Sequence, residues 1–352
     1  MLASSYRRLG IVLAAVLLLA AGPFAAVASA QTDDTSLRLA PTPVLDVNLT
    51  TQGFVLPGPN PRPAGLTTFH VTTQDRTGHY WATFNLKNGV TFEQVSQWFH
   101  DGELPDLSIA VPALHNLYTN VDFTGGVAVY PTSPIDLTIP LKRNIVTYIT
   151  DTVLPDFGGG GSAAAANADA PNSAAAKLPL AVRAVGQAAD RALKQAPKAV
   201  AATDEPPSPF GFLFTTDTTN ITRPPAFSAV LEAVDVNGRA KLYPAGQFKG
   251  NGAFLFRNDA TLPQEAQFEK IDPGTTDADV QRFYDSLLNH TGGVPYPFRG
   301  EPGGVLLLSK GNMVIMGANF PAGQYCILSF PTDWDTGIKQ AFEGVHKVVT
   351  LH

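Results

Sequence analysis

The same succession of segments occurs twice in this chain, and any fold it adopts has to accommodate both copies. The first copy runs "AGLTTFHVTTQDRTGHYWATFNLKNGVTFEQVSQWF" and resumes at "GGVAVYPTSPIDLTIPLKRNIVTYIT". The second runs "GNGAFLFRNDATLPQEAQFEKIDPGTTDADVQRFYDSLL" and resumes at "GGVLLLSKGNMVIMGANFPAGQYCILSF". In each, a strand-like alternation passes through a turn into another strand, then a glycine (Gly89, Gly274), a helix and a Gly-Gly-Val (Gly125-Gly126-Val127, Gly303-Gly304-Val305). Thr91 with Gln94, and Thr276 with Asp279, are helix-start signals, a hydroxyl capping the first turn and a side chain three residues on reaching back. The helices are expected to bury Val95, Trp98 and Phe99 in one copy, and Val280, Phe283, Leu287 and Leu288 in the other. The remaining segments are short, rich in Val, Phe, Thr and Tyr, and broken by Gly, Pro, Asn and Asp, which predicts a β-sandwich in each half.

Between Gly158 and Pro209 the composition shifts to "GGGGSAAAANADAPNSAAA", an Ala-rich basic stretch and "ATDEPPSP". Such a segment buries too little apolar surface to offset its ordering entropy, so residues 158–209 read as a flexible linker between domains at 31–157 and 210–352. Within it, Leu178, Val182, Val185, Ala189 and Leu193 recur at helical spacing, up to Pro197. One reading is a helix making weak contact with a membrane or wall polymer; the alanine-rich face favours a partly helical spacer. Residues 1–30 have the parts of an export signal: Arg7 and Arg8, an apolar run from Leu9, Gly22-Pro23, and the small-residue site Ala28-Ser29-Ala30. Cleavage before Gln31 is expected, with an uncleaved N-terminal anchor as the alternative.

The formal charge of −6 grows more negative once Arg7 and Arg8 are removed, and no stretch has the basic density of a nucleic-acid binder. Cys326 is the single cysteine, so no intramolecular disulfide forms and the halves are held by their cores.

The second half carries the frame of a known site. Asn258 opens a turn and Gln264 follows six residues on; Tyr325 is followed four residues on by Ser329; Gly337 and Gly344 bracket Gln340, with Val345 next. This spacing resembles the cupredoxin family, the Greek-key β-sandwich proteins of plastocyanin and azurin type. The resemblance implies a metal site in which a histidine, a cysteine, a second histidine and an axial methionine occupy those four slots. A thiolate and two imidazoles hold copper in a plane with a weak axial thioether. Here Gln264, Ser329, Gln340 and Val345 stand instead, so the slots are vestigial and no cofactor is expected. Cys326 lies three residues before the cysteine slot, on the opposite face of its strand, and reads as a buried small residue. In the first half His79 falls at the first-ligand slot without partner ligands, which favours a hydrogen-bonded surface or turn residue. His346 is expected at an exposed or edge position.

Other chemistries lack their residues. There is no Gly-x-Ser-x-Gly elbow, no phosphate-loop lysine and no histidine pair at zinc spacing. The acidic groupings "HDGELPDL" (100–107) and "PTDWDTG" (331–337) read as solvated loops, and Asp333 with Asp335 falls short of a calcium shell. The expected fold is therefore all-β: two Greek-key cupredoxin-like β-sandwiches, each with a short inserted helix, joined by the Ala/Gly/Pro-rich linker. The expected function is that of an exported, non-enzymatic protein that binds or scaffolds a surface or envelope partner, the alternative being copper binding or electron transfer through atypical ligands. Trp334 is the expected ligand contact, with Tyr325 and Phe342 more often core residues.

Overall fold

Alternating apolar residues in the first half build β2 (Val44–Leu49), β3 (Arg62–Thr73), β4 (His79–Leu86), β5 (Val121–Val129), β6 (Ile135–Leu141) and β7 (Val146–Val153). Helices α1 (Phe92–Gly102) and α2 (Leu107–Asn120) intervene between β4 and β5. The second half contributes β8 (Phe210–Asn220), β10 (Ala229–Val236), β11 (Arg239–Gly246), β12 (Asn251–Asn258), β13 (Gln264–Ile271), α3 (Asp277–Leu288), β14 (Phe298–Leu308), β15 (Met313–Asn319), β16 (Gly323–Leu328) and β17 (His346–Leu351). A small parallel pair, β1 (Ala40–Pro41) with β9 (Thr222–Arg223), stands apart. These elements come from a computed structural model that describes residues 39–87, 89–154 and 207–352. The expected signal segment, the candidate helix at 178–193 and nearly all of the expected linker lie outside the described residues.

Fourteen strands follow one hydrogen-bonded path, β11-β10-β12-β15-β6-β3-β8-β7-β4-β5-β14-β13-β16-β17, and a fifteenth, β2, pairs with β3 off that path. The long strand β8 passes from one layer to the other. Its first residues pair with β7 (Thr150↔Phe210) and its later ones with β3 (Arg62↔Thr215). Both layers bury their inner faces in one shared core that includes Phe69, Trp81 and Leu137 from the first half and Phe256, Phe268 and Val305 from the second. The described residues from Ala40 to His352 form one compact unit.

The halves meet strand to strand in both layers. β5 pairs antiparallel with β14, and β6 with β15. The two Gly-Gly-Val motifs face each other at the first of these seams, where Val127 is the partner of Val305. A Cβ on Gly126 would run into the Trp81 and Ala82 backbone, and one on Gly304 into that of Ala266. Close approach of neighbouring strands is therefore the reason for glycine at both places. The β-rich class with few helices agrees with expectation, while strands of both halves run in common layers rather than in detached sheets.

Helices cover the outer face of one layer in each half. Both expected capping boxes form, Thr91 with Gln94 and Thr276 with Asp279. Helix α1 lies over Phe84, Phe123 and Tyr148, and α3 over Ile271, Phe298 and Leu328. In α3 the buried apolar positions are Val280, Phe283 and Tyr284, whereas Leu288, expected inside, is 40% exposed in the last turn. Helix α2 corrects the reading of 100–107 as a loop. His100–Gly102 complete α1, Asp106 caps α2 through the Ser108 amide, and Ala110, Ala113, Leu114 and Leu117 form its buried stripe.

Candidate functional site

Gln264 is the first residue of β13, Ser329 follows directly on β16, and Gln340 and Val345 belong to the connection into β17. Folding brings all four slots to one place, each fully or nearly fully buried. Gln264 Nε2 donates to Gln340 Oε1 at 2.6 Å, and Ser329 Oγ donates to Gln264 Oε1 at 3.0 Å. Ser329 Oγ accepts the Glu265 amide at 2.9 Å, and Gln340 Nε2 donates to Pro263 O at 3.1 Å. Backbone bonds close the group, Val345 N to Gln340 O at 3.0 Å and Ser329 N to Val345 O at 3.2 Å. Asn258 holds the turn at their base through Leu262 O and Leu308 O.

Copper does not fit this donor set. Two amides, a hydroxyl and an aliphatic side chain supply neither thiolate nor imidazole, and the amide and hydroxyl groups are already bonded to one another. Among the described residues no group of three or more His, Cys, Asp or Glu is arranged to hold a metal ion. Cys326 lies in the core under α3, away from the slots, and burial pushes its thiol well up.

Charge sits beside the neutral cluster. Glu265 is buried, accepts from Gln267 Nε2 at 2.6 Å and the Phe330 amide at 3.3 Å, and is pushed up by burial. Lys339 in the neighbouring loop is pushed down, again by burial, with Glu265 opposing that shift. Tyr80 of β4 reaches Gln267 Oε1 at 3.4 Å, so a polar chain leads from the slots to the first half.

The equivalent position in the first half is different. His79, first residue of β4, is fully buried, which corrects the expectation of a surface or turn residue. Its Nδ1 meets Asp151 Oδ1 on β7 at 2.8 Å, while Nε2 lies 3.6 Å from Asp75 Oδ2 in the preceding turn. Burial pushes the Asp151 carboxyl up, with the His79 hydrogen bond opposing it. His346 takes the edge position expected of it, on the terminal strand of the path, but it is not exposed: it is only 9% accessible and tied to α3 by Gln281 Oε1 at 3.0 Å. Burial holds its imidazole down at about 4, against the pull of Asp277.

A cavity of ≈ 160 Å³ opens next to the slots, with Gln340 and Val345 in its wall. Trp334 lines it, half-buried rather than loose in solvent. Its ring lies 4.7 Å from His115 and 5.9 Å from Tyr118, centroid to centroid, so α2 of the first half buttresses the loop of the second. Tyr325, expected in the core, is 3% exposed, and Phe342 stacks on Tyr284 at 4.6 Å. Missed from sequence were the cavity's other charged walls, Asp235, Arg239 and Glu343. They are distant in the chain, and the one local signal was the Asn237-Gly238 turn that folds the first two against the loop.

No protein-family model matches the chain, and no curated protein matches it by sequence. Solved structures give distant likenesses. A multicopper oxidase is 12% identical over 88% of each chain, with a TM-score of 0.20. A copper-containing nitrite reductase from Thermus scotoductus is 10% identical over 88% of this chain and 61% of its own, with a TM-score of 0.20. A blue copper oxidase from Nitrosomonas europaea is 11% identical over 87% of this chain and 84% of its own, with a TM-score of 0.18. All three are enzymes, and the expectation of a non-enzymatic chain is corrected on that finding. At these TM-scores the likeness transfers neither a reaction nor a copper site.

Proposed function

We propose that this is an exported binding or scaffolding protein, made of two degenerate copies of one cupredoxin-like module, that engages a surface or envelope partner at the former metal end of the second copy. The observation that carries the reading is the meeting of Gln264, Ser329, Gln340 and Val345 in one sealed hydrogen-bonded cluster beside the cavity at Trp334. A site whose donors bond to each other keeps the frame rigid, and the adjoining loops are released for recognition. The aromatic anchor in that wall is Trp334, the side-chain type that most often carries binding energy.

Two measurements on residues 31–352 test it together. Equilibrium dialysis against one equivalent of Cu(II) per half is expected to leave the protein copper-free. Retention on envelope fractions of the producing cell is expected to fall when Trp334→Ala is compared with the native chain at equal fold content. Stoichiometric tight copper, or retention indifferent to Trp334, overturns the proposal.

A further inference from the structure

We propose that the pocket beside Trp334 takes a small organic cation, a protonated amine or quaternary ammonium group, an inference that rests on the reading of that pocket as the binding site. The cavity of ≈ 160 Å³ suits a compact organic group, and its walls place Asp235, Asp333, Asp335 and Glu343 around it against the single guanidinium of Arg239. Trp334 contributes an aromatic surface already immobilised by His115 and Tyr118, so ordering it costs little on binding. An aromatic face bordered by carboxylates is the arrangement that recognises ammonium groups, through the ring quadrupole and diffuse negative charge.

The way the carboxylates are held selects the kind of cation. Asp235 Oδ2 is engaged by the Thr261 amide at 2.9 Å and hydroxyl at 2.7 Å, and Asp333 Oδ1 by the Asp335 amide at 2.7 Å. They are pinned apart around the rim and do not converge into a metal-holding group. A bare divalent ion needs converging oxygens, whereas a bulky monocation is stabilised by a spread field. Burial pushes the Glu343 carboxyl up, with the neighbouring Asp333 adding to the shift and Thr336 and Arg239 opposing it. A cation at this place relieves the repulsion of the two acids.

Isothermal titration calorimetry on residues 31–352 with choline, with its neutral isostere 3,3-dimethylbutan-1-ol, and with acetate decides the matter. Choline is expected to bind about ten-fold or more tightly than the alcohol, acetate not to bind, and the choline preference to collapse in Asp333→Asn/Glu343→Gln. Asp335→Asn, at an exposed position, is expected to weaken choline by a smaller factor and guards against misfolding of the double variant. Equal binding of choline and the alcohol overturns the cation class and leaves the pocket standing. Saturable binding of acetate alone also overturns it, and no binding by any of the three overturns the pocket reading as well.

Discussion

His79 and Gln264 each open the second strand of their repeat copy, β4 and β13, yet one is a buried imidazole between carboxylates and the other a buried amide in a neutral cluster. Both solutions fill a slot that faces the interior and would be ruinous if left polar and empty. The first does so with an imidazole set against the carboxyls of Asp151 and Asp75, drawn from separate elements. The second uses dipoles alone, Gln264 donating to Gln340 and accepting from Ser329 while Gln340 donates to the Pro263 carbonyl. The lesson is that a polar pocket in a β-sandwich can be closed by ionisable side chains hydrogen-bonded across elements or by neutral amide and hydroxyl groups alone. The two routes differ in how they fail.

The largest effect is expected from undoing the neutral solution. Gln264→His, Ser329→Cys, Gln340→His and Val345→Met together restore a thiolate, two imidazoles and a thioether at one place. This variant is expected to bind one Cu(II) and show visible thiolate-to-copper absorption, neither of which is expected of the native chain. A colourless, copper-free variant would mean that the four backbone positions do not converge as described. Next is His79→Ala, which strands the Asp151 carboxylate in the interior. Urea unfolding at neutral pH should report a loss of about 3–5 kcal/mol, and a loss below ~1 would show that water satisfies the site.

Acid should then single out the second half. His346 is held at about 4 against 6.5 in the unfolded chain, so between those values the unfolded state binds a proton that the folded state refuses. Stability contributed by its neutral form is complete above the upper value and lost as pH falls toward the lower, on the order of 3 kcal/mol in all. Stability followed by chemical denaturation across that window should be flatter in His346→Gln; identical profiles would move the acid sensitivity elsewhere. The smallest effect is Gln340→Ala, which leaves Gln264 Nε2 without its 2.6 Å partner and should cost about 1–3 kcal/mol. A double-mutant cycle with Gln264→Ala should give coupling of about 0.5–3 kcal/mol, and strict additivity would deny the shared network.

Much of this was legible in the sequence because it rests on local chemistry. The capping boxes at Thr91 and Thr276 are three-residue signals, and the Gly-Gly-Val pair marks places where backbones touch. The spacing from Asn258 to Gln264 and from Tyr325 to Ser329 sufficed to bring distant slots together, since turns and strands set reach and face. Helix α2 was hidden by Pro112, a residue that usually ends a helix, although Asp106 and the stripe at 110, 114 and 117 were there to be read. The burial of His79 was hidden for another reason. Its partner Asp151 lies 72 residues away, and only the pairing of β4 with β7 brings them together. The cavity walls share that cause, since strands, a hairpin and a loop each contribute one side.

The seams between β5 and β14 and between β6 and β15, with β8 stitched to β7 and β3, make the covalent link between the halves mechanically redundant. A single break in the chain between the halves is expected to leave two polypeptides clasped through these strand pairs and the common core. Such a chain is expected to behave as a split protein, in which each half supplies edge strands that the other completes.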